Sequence, residues 1–285
     1  MTTPTDRQEQ LTRLARGWDA AADGYDAYFV PRFAPWLADA VDAIVAPAPP
    51  DGPALPAPPD GPALPAPPEG PVLVPCCGSF PELDALTAGF GDREIVGIDL
   101  SAGMVRRARD RAAGHRLVRV EQGDASTLDP RWTGRCAAVL SVFGLQQLPE
   151  PEVALRSWAR ALRPGGRLSV AYWPEVTETA GPFALISEVV RGQAPPPDHS
   201  WEERLVPALT GSGLTVERDD HPAHPMRHAD AAAFVDAFVH SGPARALAIA
   251  RGTGYVERLR EEFLRRAPSG ELHHRPRARL LVARR

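Results

Sequence analysis

Residues 72–83, with the sequence VLVPCCGSFPEL, open the part of the chain that decides the fold. Val72 to Pro75 are mostly apolar and predict a short buried strand, and the next residues predict a tight loop. Pro81 then stands where a helix can begin, because the first turn of a helix does not need its N–H groups for internal hydrogen bonds. The stretch therefore predicts a strand, a loop and a helix in immediate succession.

The same alternation continues downstream. Apolar strands and amphipathic helices follow one another, and such alternation predicts a doubly wound, mostly parallel α/β sheet with ligands at the carboxyl ends of its strands. The strands are predicted at REIVGID (93–99), LVRVEQGD (117–124), CAAVLSVF (136–143) and RLSVAYW (167–173), and the helices at PELDALTAGF (81–90), SAGMVRRARDRAAG (101–114) and PEVALRSWARALRPGG (151–166).

The segments before the sheet predict a helical lid and a linker. Helical patterns cover Gln8 to Trp18 and Phe33 to Val45, and YDAYFVPRF (25–33) forms a short aromatic connection between them. That connection either packs helix against helix or covers a ligand. Residues 46–71 contain 12 prolines and a tandem DGPALPAPP repeat, so they predict an extended linker without helix or sheet.

The predicted organisation is a lid over residues 1–45, the linker over 46–71 and one α/β domain over 72–285. Within that domain, residues 176–270 are expected to add helices that surround a substrate. Helices are predicted at 181–190, at 201–213 and within 230–266, with strands near 214–218 and 279–283.

Composition limits the possible functions. The formal charge is −4 and lysine is absent, so no excess of positive charge is available for wholesale nucleic-acid binding. No apolar run is long enough to span a bilayer, and the N-terminal residues lack a signal-peptide pattern, so a cytoplasmic location is expected. Cys76, Cys77 and Cys136 match neither a disulfide framework nor zinc spacing, and no metal site is predicted.

Two carboxylates follow successive strands. Asp99 ends the second strand, where it can accept hydrogen bonds from ribose hydroxyls, and Asp124 ends the third, where it can accept from an adenine amine. Alternatively, Asp99 only helps to cap the helix at Ser101 and Asp124 only forms a turn. The loop before them carries Gly78 but too few glycines for a pyrophosphate, which leaves room for a nucleoside.

Residues 72–173 resemble the class I S-adenosylmethionine-dependent methyltransferases that act on small molecules. VLVPCCGSFPEL is similar to the family's first motif, VLDxGCGTG, and IVGIDLSAGMVRRAR to its second strand and helix. EQGDASTL resembles the adenine-binding turn, VLSVFGLQQLPEPEVALRSWARALRPGGRLSVAYW the fourth and fifth strands, and WDAAADGYDAYF an N-terminal lid.

The resemblance implies S-adenosylmethionine as cofactor and S-adenosylhomocysteine as product. The implied cofactor-binding residues are Tyr25, Arg32, Cys76, Cys77, Gly78, Ser79, Asp99, Leu100, Met104, Asp124, Ala125, Ser141 and Val142.

Three positions depart from the family pattern. Val74 replaces the acidic residue that the family uses near the methionine amino group, and Cys76 and Phe80 replace glycines. Tyr25, Tyr28 and Arg32 are expected to compensate, and Arg32 would bind the cofactor carboxylate.

The candidate catalytic residues are Gln146, Gln147 and His228. The two glutamines stand where related enzymes often have two histidines, and they can orient an acceptor without acting as bases. His228 is the favoured base within a group that also contains His221, His224 and His240. The expected substrate-binding residues are Trp18, Tyr28, Phe143, Tyr172 and Trp173.

The function implied by the resemblance is methyl transfer to a small-molecule acceptor such as a specialised metabolite. The alternative is a protein that binds S-adenosylmethionine without methyl transfer or with other chemistry. The sequence leaves open the nucleophilic atom, the acceptor and the oligomeric state. No nucleic-acid or membrane partner is expected.

Overall fold

The predicted alternation of strands and helices forms a seven-stranded sheet covered by helices. The computed structural model describes residues 4–45, 68–193 and 198–285. The helices are α1 Pro4–Asp42, α2 Leu83–Phe90, α3 Ala102–Arg111, α4 Pro151–Ala161, α5 Pro182–Gln193, α6 Trp201–Gly211, α7 Ala231–Val239, α8 Gly242–Arg251 and α9 Thr253–Arg266. The strands are β1 Val72–Pro75, β2 Ile95–Asp99, β3 Val118–Gln122, β4 Cys136–Val142, β5 Leu162–Tyr172, β6 Thr215–Asp220, β7 Met226–His228, β8 Leu272–His274 and β9 Arg279–Arg284.

The sheet has the order β3-β2-β1-β4-β5-β9-β6. Strands β1 to β5 are parallel, whereas β9 runs antiparallel between β5 and β6. The chain order of the strands reverses next to β1, and this reversal leaves a crevice at the carboxyl ends of the neighbouring strands. The predicted doubly wound, mostly parallel sheet is confirmed.

Alternating side chains of the central strands pack on opposite faces of the sheet. Leu73 and Val139 belong to a cluster with Trp158 of α4, while Val72, Val74 and their neighbours pack toward α1, α2 and α3. Both faces of the sheet are therefore buried against helices, which explains why β1 and β4 are almost continuously apolar. Each fully buried valine or leucine contributes about 1.5–3 kcal/mol of transfer free energy.

The N-terminal segment corrects one expectation. A single helix of 39 residues, α1, replaces the two predicted helices and the connection between them. It continues through Pro31 and Pro35, although each proline removes one helical hydrogen bond. The apolar contacts of buried Phe29, Phe33 and Trp36 compensate for those losses.

The C-terminal segments agree with their predictions, with two additions. Helices α5 and α6, the helical stretch α7 to α9, and strands β6 and β9 all lie where the sequence places them. The short strands β7 and β8 were not predicted, and they pair with each other away from the main sheet. The repetitive proline tract lies outside the described residues over 46–67, so its prediction as a linker stays a prediction.

Candidate functional site

The loop after β1 has an unusual backbone for its residue types. Cys76 has φ 58° and Phe80 has φ 64°, which is the left-handed region that favours glycine. These are the two positions where the family pattern has glycine and this chain does not. The loop thus keeps the backbone shape of a glycine-rich loop at a steric cost of about 1–2 kcal/mol per residue.

Two glycines elsewhere make room for the extra side chains. A Cβ on Gly144 would lie 2.3 Å from Cβ of Cys76, and a Cβ on Gly97 would lie 2.8 Å from Sγ of Cys77 and 2.9 Å from Cε1 of Phe80. The ring of Phe80 fills the core beneath the loop and is fully buried. Burial also raises the pKa of both cysteine thiols, so they stay protonated near neutral pH.

Asp99 fastens this loop to the next helix. Its Oδ2 accepts a hydrogen bond from the backbone N–H of Gly78 (2.9 Å), and its Oδ1 accepts one from the N–H of Ser101 (2.9 Å). Ser101 in turn caps α3. Burial raises the pKa of Asp99, and the two backbone donors oppose that rise. Each carboxylate oxygen keeps a further lone pair for a ligand hydroxyl, so the capping and ligand-binding interpretations are compatible.

Asp124 lies at the end of the neighbouring turn. Its Oδ1 accepts from the backbone N–H and the hydroxyl of Ser126 (2.8 and 2.6 Å), and its Oδ2 accepts from Nη2 of Arg7 (3.0 Å). Arg7 belongs to the first turns of α1, so this ion pair joins the start of α1 to the sheet edge. The turn expected at Asp124 is present, and the carboxylate also lines a cavity.

That cavity, called here the loop cavity, lies between the β1 loop, the ends of β2 and β4, and α1. Most of the predicted cofactor-binding residues line it, and they share the carboxyl edge of the sheet. These residues are Tyr25, Cys76, Cys77, Gly78, Ser79, Asp99, Leu100, Met104, Asp124, Ala125 and Val142.

A second cavity, called here the aromatic cavity, lies between α1, the end of β5 and the helices α5 and α7. Its wall contains the predicted residues Trp18, Phe143, Gln146, Gln147 and Trp173. The rings of Phe143 and Trp173 stack with centroids 4.3 Å apart. Oε1 of Gln146 is buried and has no hydrogen-bond partner among the described residues.

The two cavities share part of their walls. Five residues border both: Trp18, Tyr25, Phe33, Phe143 and Gln147. A molecule in the loop cavity and a molecule in the aromatic cavity would therefore meet at this shared wall.

Two predicted cofactor-binding residues lie elsewhere. Arg32 lines neither cavity, because its guanidinium donates to the carbonyl oxygens of Arg227 (3.0 Å) and Tyr28 (2.6 Å). Ser141 also lines neither cavity, and its Oγ is buried without a hydrogen-bond partner among the described residues. The contact between Arg32 and a cofactor carboxylate stays a prediction, and the position of Arg32 outside both cavities does not favour it.

Three predicted substrate-binding or catalytic residues also lie off the aromatic cavity. Tyr172 is fully buried, and its hydroxyl accepts a hydrogen bond from Arg279 (3.0 Å). Tyr28 and His228 do not line either cavity. Side chains alternate along β5, so Trp173 faces the cavity while Tyr172 packs on the other side against Trp201.

Tyr28 and His228 belong instead to a chain of hydrogen bonds, called here the histidine chain. The hydroxyl oxygen of Tyr28 lies 2.8 Å from Nδ1 of His228, and Nε2 of His228 lies 2.9 Å from Nε2 of His274. Nδ1 of His274 lies 2.8 Å from Oε2 of Glu178. Burial lowers the pKa of His228 to about 3, so this imidazole is neutral near pH 7. The role of His228 as a base stays a prediction, and its position favours a structural role.

Sequence reasoning missed several polar residues of the cavity walls, including Glu82 and His199. Glu82 is 4% exposed and lines the loop cavity, and the only signal in the sequence is its place next to Pro81. His199 lines the aromatic cavity with Nδ1 3.2 Å from Oε1 of Glu202. A histidine in a long connection carries no pattern that would have indicated this contact.

The side chains that line the loop cavity suit an adenosine derivative. Two carboxylates face it with free lone pairs, apolar Leu100 and Met104 can contact a flat base, and Gly78 has nothing within 4 Å of the place its Cβ would take.

Within the described segments, no cluster of histidine, cysteine, aspartate or glutamate could hold a metal ion. None of the described helices combines the length and apolarity needed to cross a bilayer.

The part of the chain that forms the centre of the sheet is similar to known methyltransferases. Residues 74–170 match the family model described as a methyltransferase domain. The chain is 32% identical over 96 residues to the ubiquinone/menaquinone biosynthesis C-methyltransferase UbiE of Syntrophotalea carbinolica, which is 33% of this chain and 39% of that protein. It is 35% identical over 92 residues to a demethylmenaquinone methyltransferase of Staphylococcus aureus, covering 32% and 38%. The matched part of the chain thus spans less than two fifths of the length of these relatives.

A solved structure extends the likeness of the fold to nearly the whole chain. The geranyl diphosphate C-methyltransferase of Streptomyces coelicolor A3(2), solved with Mg²⁺, geranyl diphosphate and S-adenosylhomocysteine, covers 99% of this chain and 98% of its own at a TM-score of 0.55. The identity is 14%, so the likeness concerns the fold.

Proposed function

We propose that this chain, which carries a class I S-adenosylmethionine-dependent methyltransferase domain, transfers a methyl group to a small, largely apolar acceptor. The observation that carries the proposal is the shared wall of the loop cavity and the aromatic cavity. A donor site and an acceptor site must meet at the reacting atoms, and these two cavities have that arrangement.

The loop cavity is the proposed cofactor site. When bound there, S-adenosylmethionine supplies an electrophilic methyl group on a sulfonium. Asp99 would accept hydrogen bonds from the ribose hydroxyls and Asp124 from the adenine amine, while Leu100 and Met104 contact the base. Tyr25 of α1 borders both cavities, so it would lie where the cofactor meets the acceptor. In this proposal α1 is the lid of the site.

The aromatic cavity is the proposed acceptor site. Its aromatic wall would bind a flat or apolar acceptor. Gln147 borders the shared wall and would help to orient the acceptor.

Two further observations support a small acceptor. The relatives described above are named for the biosynthesis of quinones, which are small molecules with an apolar part. The formal charge of −4 offers no basic surface for a nucleic-acid substrate.

The test follows a labelled methyl group. The protein is incubated with S-adenosylmethionine labelled in the methyl group and a bacterial extract, which is then separated into protein, nucleic acid and an organic-solvent fraction. The proposal predicts label in the organic fraction, and it predicts that Asp99→Ala reduces this label at least tenfold. Label confined to protein or nucleic acid would contradict the acceptor class. Binding of S-adenosylhomocysteine without any label transfer would support the alternative of a binding protein.

A further inference from the structure

The end of β1 offers no carboxylate to the loop cavity. Val74 is fully buried and packs in the apolar cluster on the α1, α2 and α3 side of the sheet. S-adenosylmethionine carries a positively charged α-amino group, and a buried ammonium needs a carboxylate or carbonyl partner. Another residue of the cavity wall must therefore be considered for this role.

The other carboxylates near the cavity are already engaged. Asp99 accepts from two backbone N–H groups, and Asp124 accepts from Arg7 and Ser126. Asp26 of α1 binds Arg107 (3.0 Å) and Arg111 (3.3 Å). These interactions orient the three side chains, and two of the three groups are neutralised by arginine.

Glu82 differs from these three. It lies in the turn before α2, is 4% exposed and lines the loop cavity. In the described part of the chain, no arginine or histidine forms a salt bridge with it, and it gives α2 no side-chain cap. Burial raises the pKa of Glu82 to about 8. A buried carboxyl group without a cation in contact is costly to ionise, and a ligand cation would remove that cost.

We propose that Glu82 is the carboxylate that binds the α-amino group of S-adenosylmethionine, in place of the acidic residue that β1 lacks. The inference rests on the proposed cofactor site. Glu82 and Tyr25 both line the loop cavity, and Tyr25 also borders the aromatic cavity. Burial raises the pKa of the Tyr25 phenol, and the carboxylates of Glu82 and Asp26 raise it further. Glu82 is therefore near the side of the loop cavity where the methionine part of the cofactor must meet the acceptor site.

The charges around Glu82 determine its pH dependence. Arg111 of α3 lowers the pKa of Glu82, Asp99 of β2 raises it, and Tyr25 of α1 and Cys77 of the loop face the same group while protonated. At pH 7 the carboxyl group is mainly protonated, because its pKa is about 8. An ammonium binds the ionised form, so binding at pH 7 should release a proton. Affinity should then rise between pH 6 and pH 8.

The test compares two ligands in two buffers. S-adenosylhomocysteine carries the amino group, whereas 5′-methylthioadenosine keeps the adenosine and the sulfur but lacks the amino acid part. Titration calorimetry in phosphate and in Tris at pH 7 measures both the affinity and the released proton. The variant is Glu82→Gln, and the matched control is Glu203→Gln on the exposed surface of α6.

For the wild-type protein and Glu203→Gln, we expect proton release with S-adenosylhomocysteine only. For Glu82→Gln, we expect at least a tenfold loss of affinity for S-adenosylhomocysteine, no proton release, and an affinity for 5′-methylthioadenosine within about twofold of wild type.

Equal affinity of Glu82→Gln and wild type for S-adenosylhomocysteine would overturn the assignment of Glu82. An equal loss for both ligands would also overturn it, because the role of Glu82 would then be structural. If the wild-type protein bound neither ligand, the proposed cofactor site itself would fail. If it bound both and only the Glu82 effects were missing, the proposed function would stand.

Discussion

Phe80 combines a left-handed backbone with a side chain that the core requires. Its φ is 64°, yet its ring is fully buried beneath the β1 loop. We expect Phe80→Ala to lower the free energy of unfolding by about 3–5 kcal/mol, because alanine keeps the unfavourable φ and leaves a cavity. Urea unfolding measures this change.

The control for Phe80 is Leu117→Ala, since Leu117 is 41% exposed. This variant should lose less than about 1 kcal/mol. If Phe80→Ala lost no more than Leu117→Ala, the ring of Phe80 would not be an essential part of the loop.

At the residue scale, the sequence predicted where a residue lies in the fold better than it predicted which way its side chain points. Asp99 and Asp124 were predictable because the carboxyl ends of adjacent parallel strands meet at one edge. The pattern did not say which side of α1 faces the cavities, so it could not show that Arg32 lies outside both of them. Residues four apart share a helix face, so Tyr25, Phe29 and Phe33 form one side while Arg32 stacks on Tyr28 along another.

At the element scale, α1 is held to α3 by charged contacts. Asp26 is 15% exposed, binds Arg107 and Arg111 and accepts a hydrogen bond from Ser79, whereas Asp23 is 84% exposed and binds Arg107 alone. We expect Asp26→Ala to speed hydrogen exchange in the middle of α1 at least fivefold, because the buried network loses its centre. Asp23→Ala should have a smaller effect.

Hydrogen-exchange mass spectrometry distinguishes the two variants, with α9 as the internal reference because it packs in a different apolar cluster. Equal exchange in α1 for Asp26→Ala and the wild-type protein would mean that these contacts do not hold α1. The proposal that α1 is the lid would then lose its main structural support.

The histidine chain ties the other side of α1 to β7 and β8. The pKa of His228 is about 3 in the folded protein, compared with 6.5 for an ordinary histidine. Between pH 3 and pH 6.5, His228 is therefore protonated in the unfolded chain and neutral in the folded protein. Stability from His228 is therefore fully present above pH 6.5 and is lost as the pH falls toward 3. The loss is about 1.4 kcal/mol per pH unit.

The free energy of unfolding should fall when the pH is lowered from 7 to 5. We expect this decrease to be about 2 kcal/mol smaller in His228→Gln than in the wild-type protein. Urea unfolding at both pH values measures this difference. His221→Gln is the control, since His221 is exposed and should follow the wild-type protein. An equally steep loss in His228→Gln would show that His228 is not buried as a neutral group.

At the scale of the whole molecule, the sheet was predictable, whereas the aromatic cavity was predictable only through some of its wall residues, such as Trp18, Phe143 and Trp173. Strand and helix periods are local, and parallel alternation allows few topologies, so a doubly wound, mostly parallel sheet follows from the pattern. The strand order itself comes from the structure. The wall of the aromatic cavity comes from α1, the end of β5, α5 and α7, which are far apart in the chain. No local pattern specifies that meeting, and His199 and the histidine chain were therefore missed.

The central claim is that the carboxylate edge of the sheet holds the adenosine part of the cofactor beside the aromatic cavity. Titration calorimetry with S-adenosylhomocysteine tests it most directly, using the wild-type protein, Asp99→Ala and the exposed control Asp129→Ala, with circular dichroism to verify folding. The account predicts one-to-one binding by the wild-type protein and Asp129→Ala, and at least tenfold weaker binding by folded Asp99→Ala. No binding by the wild-type protein, or equal binding by all three, would contradict it.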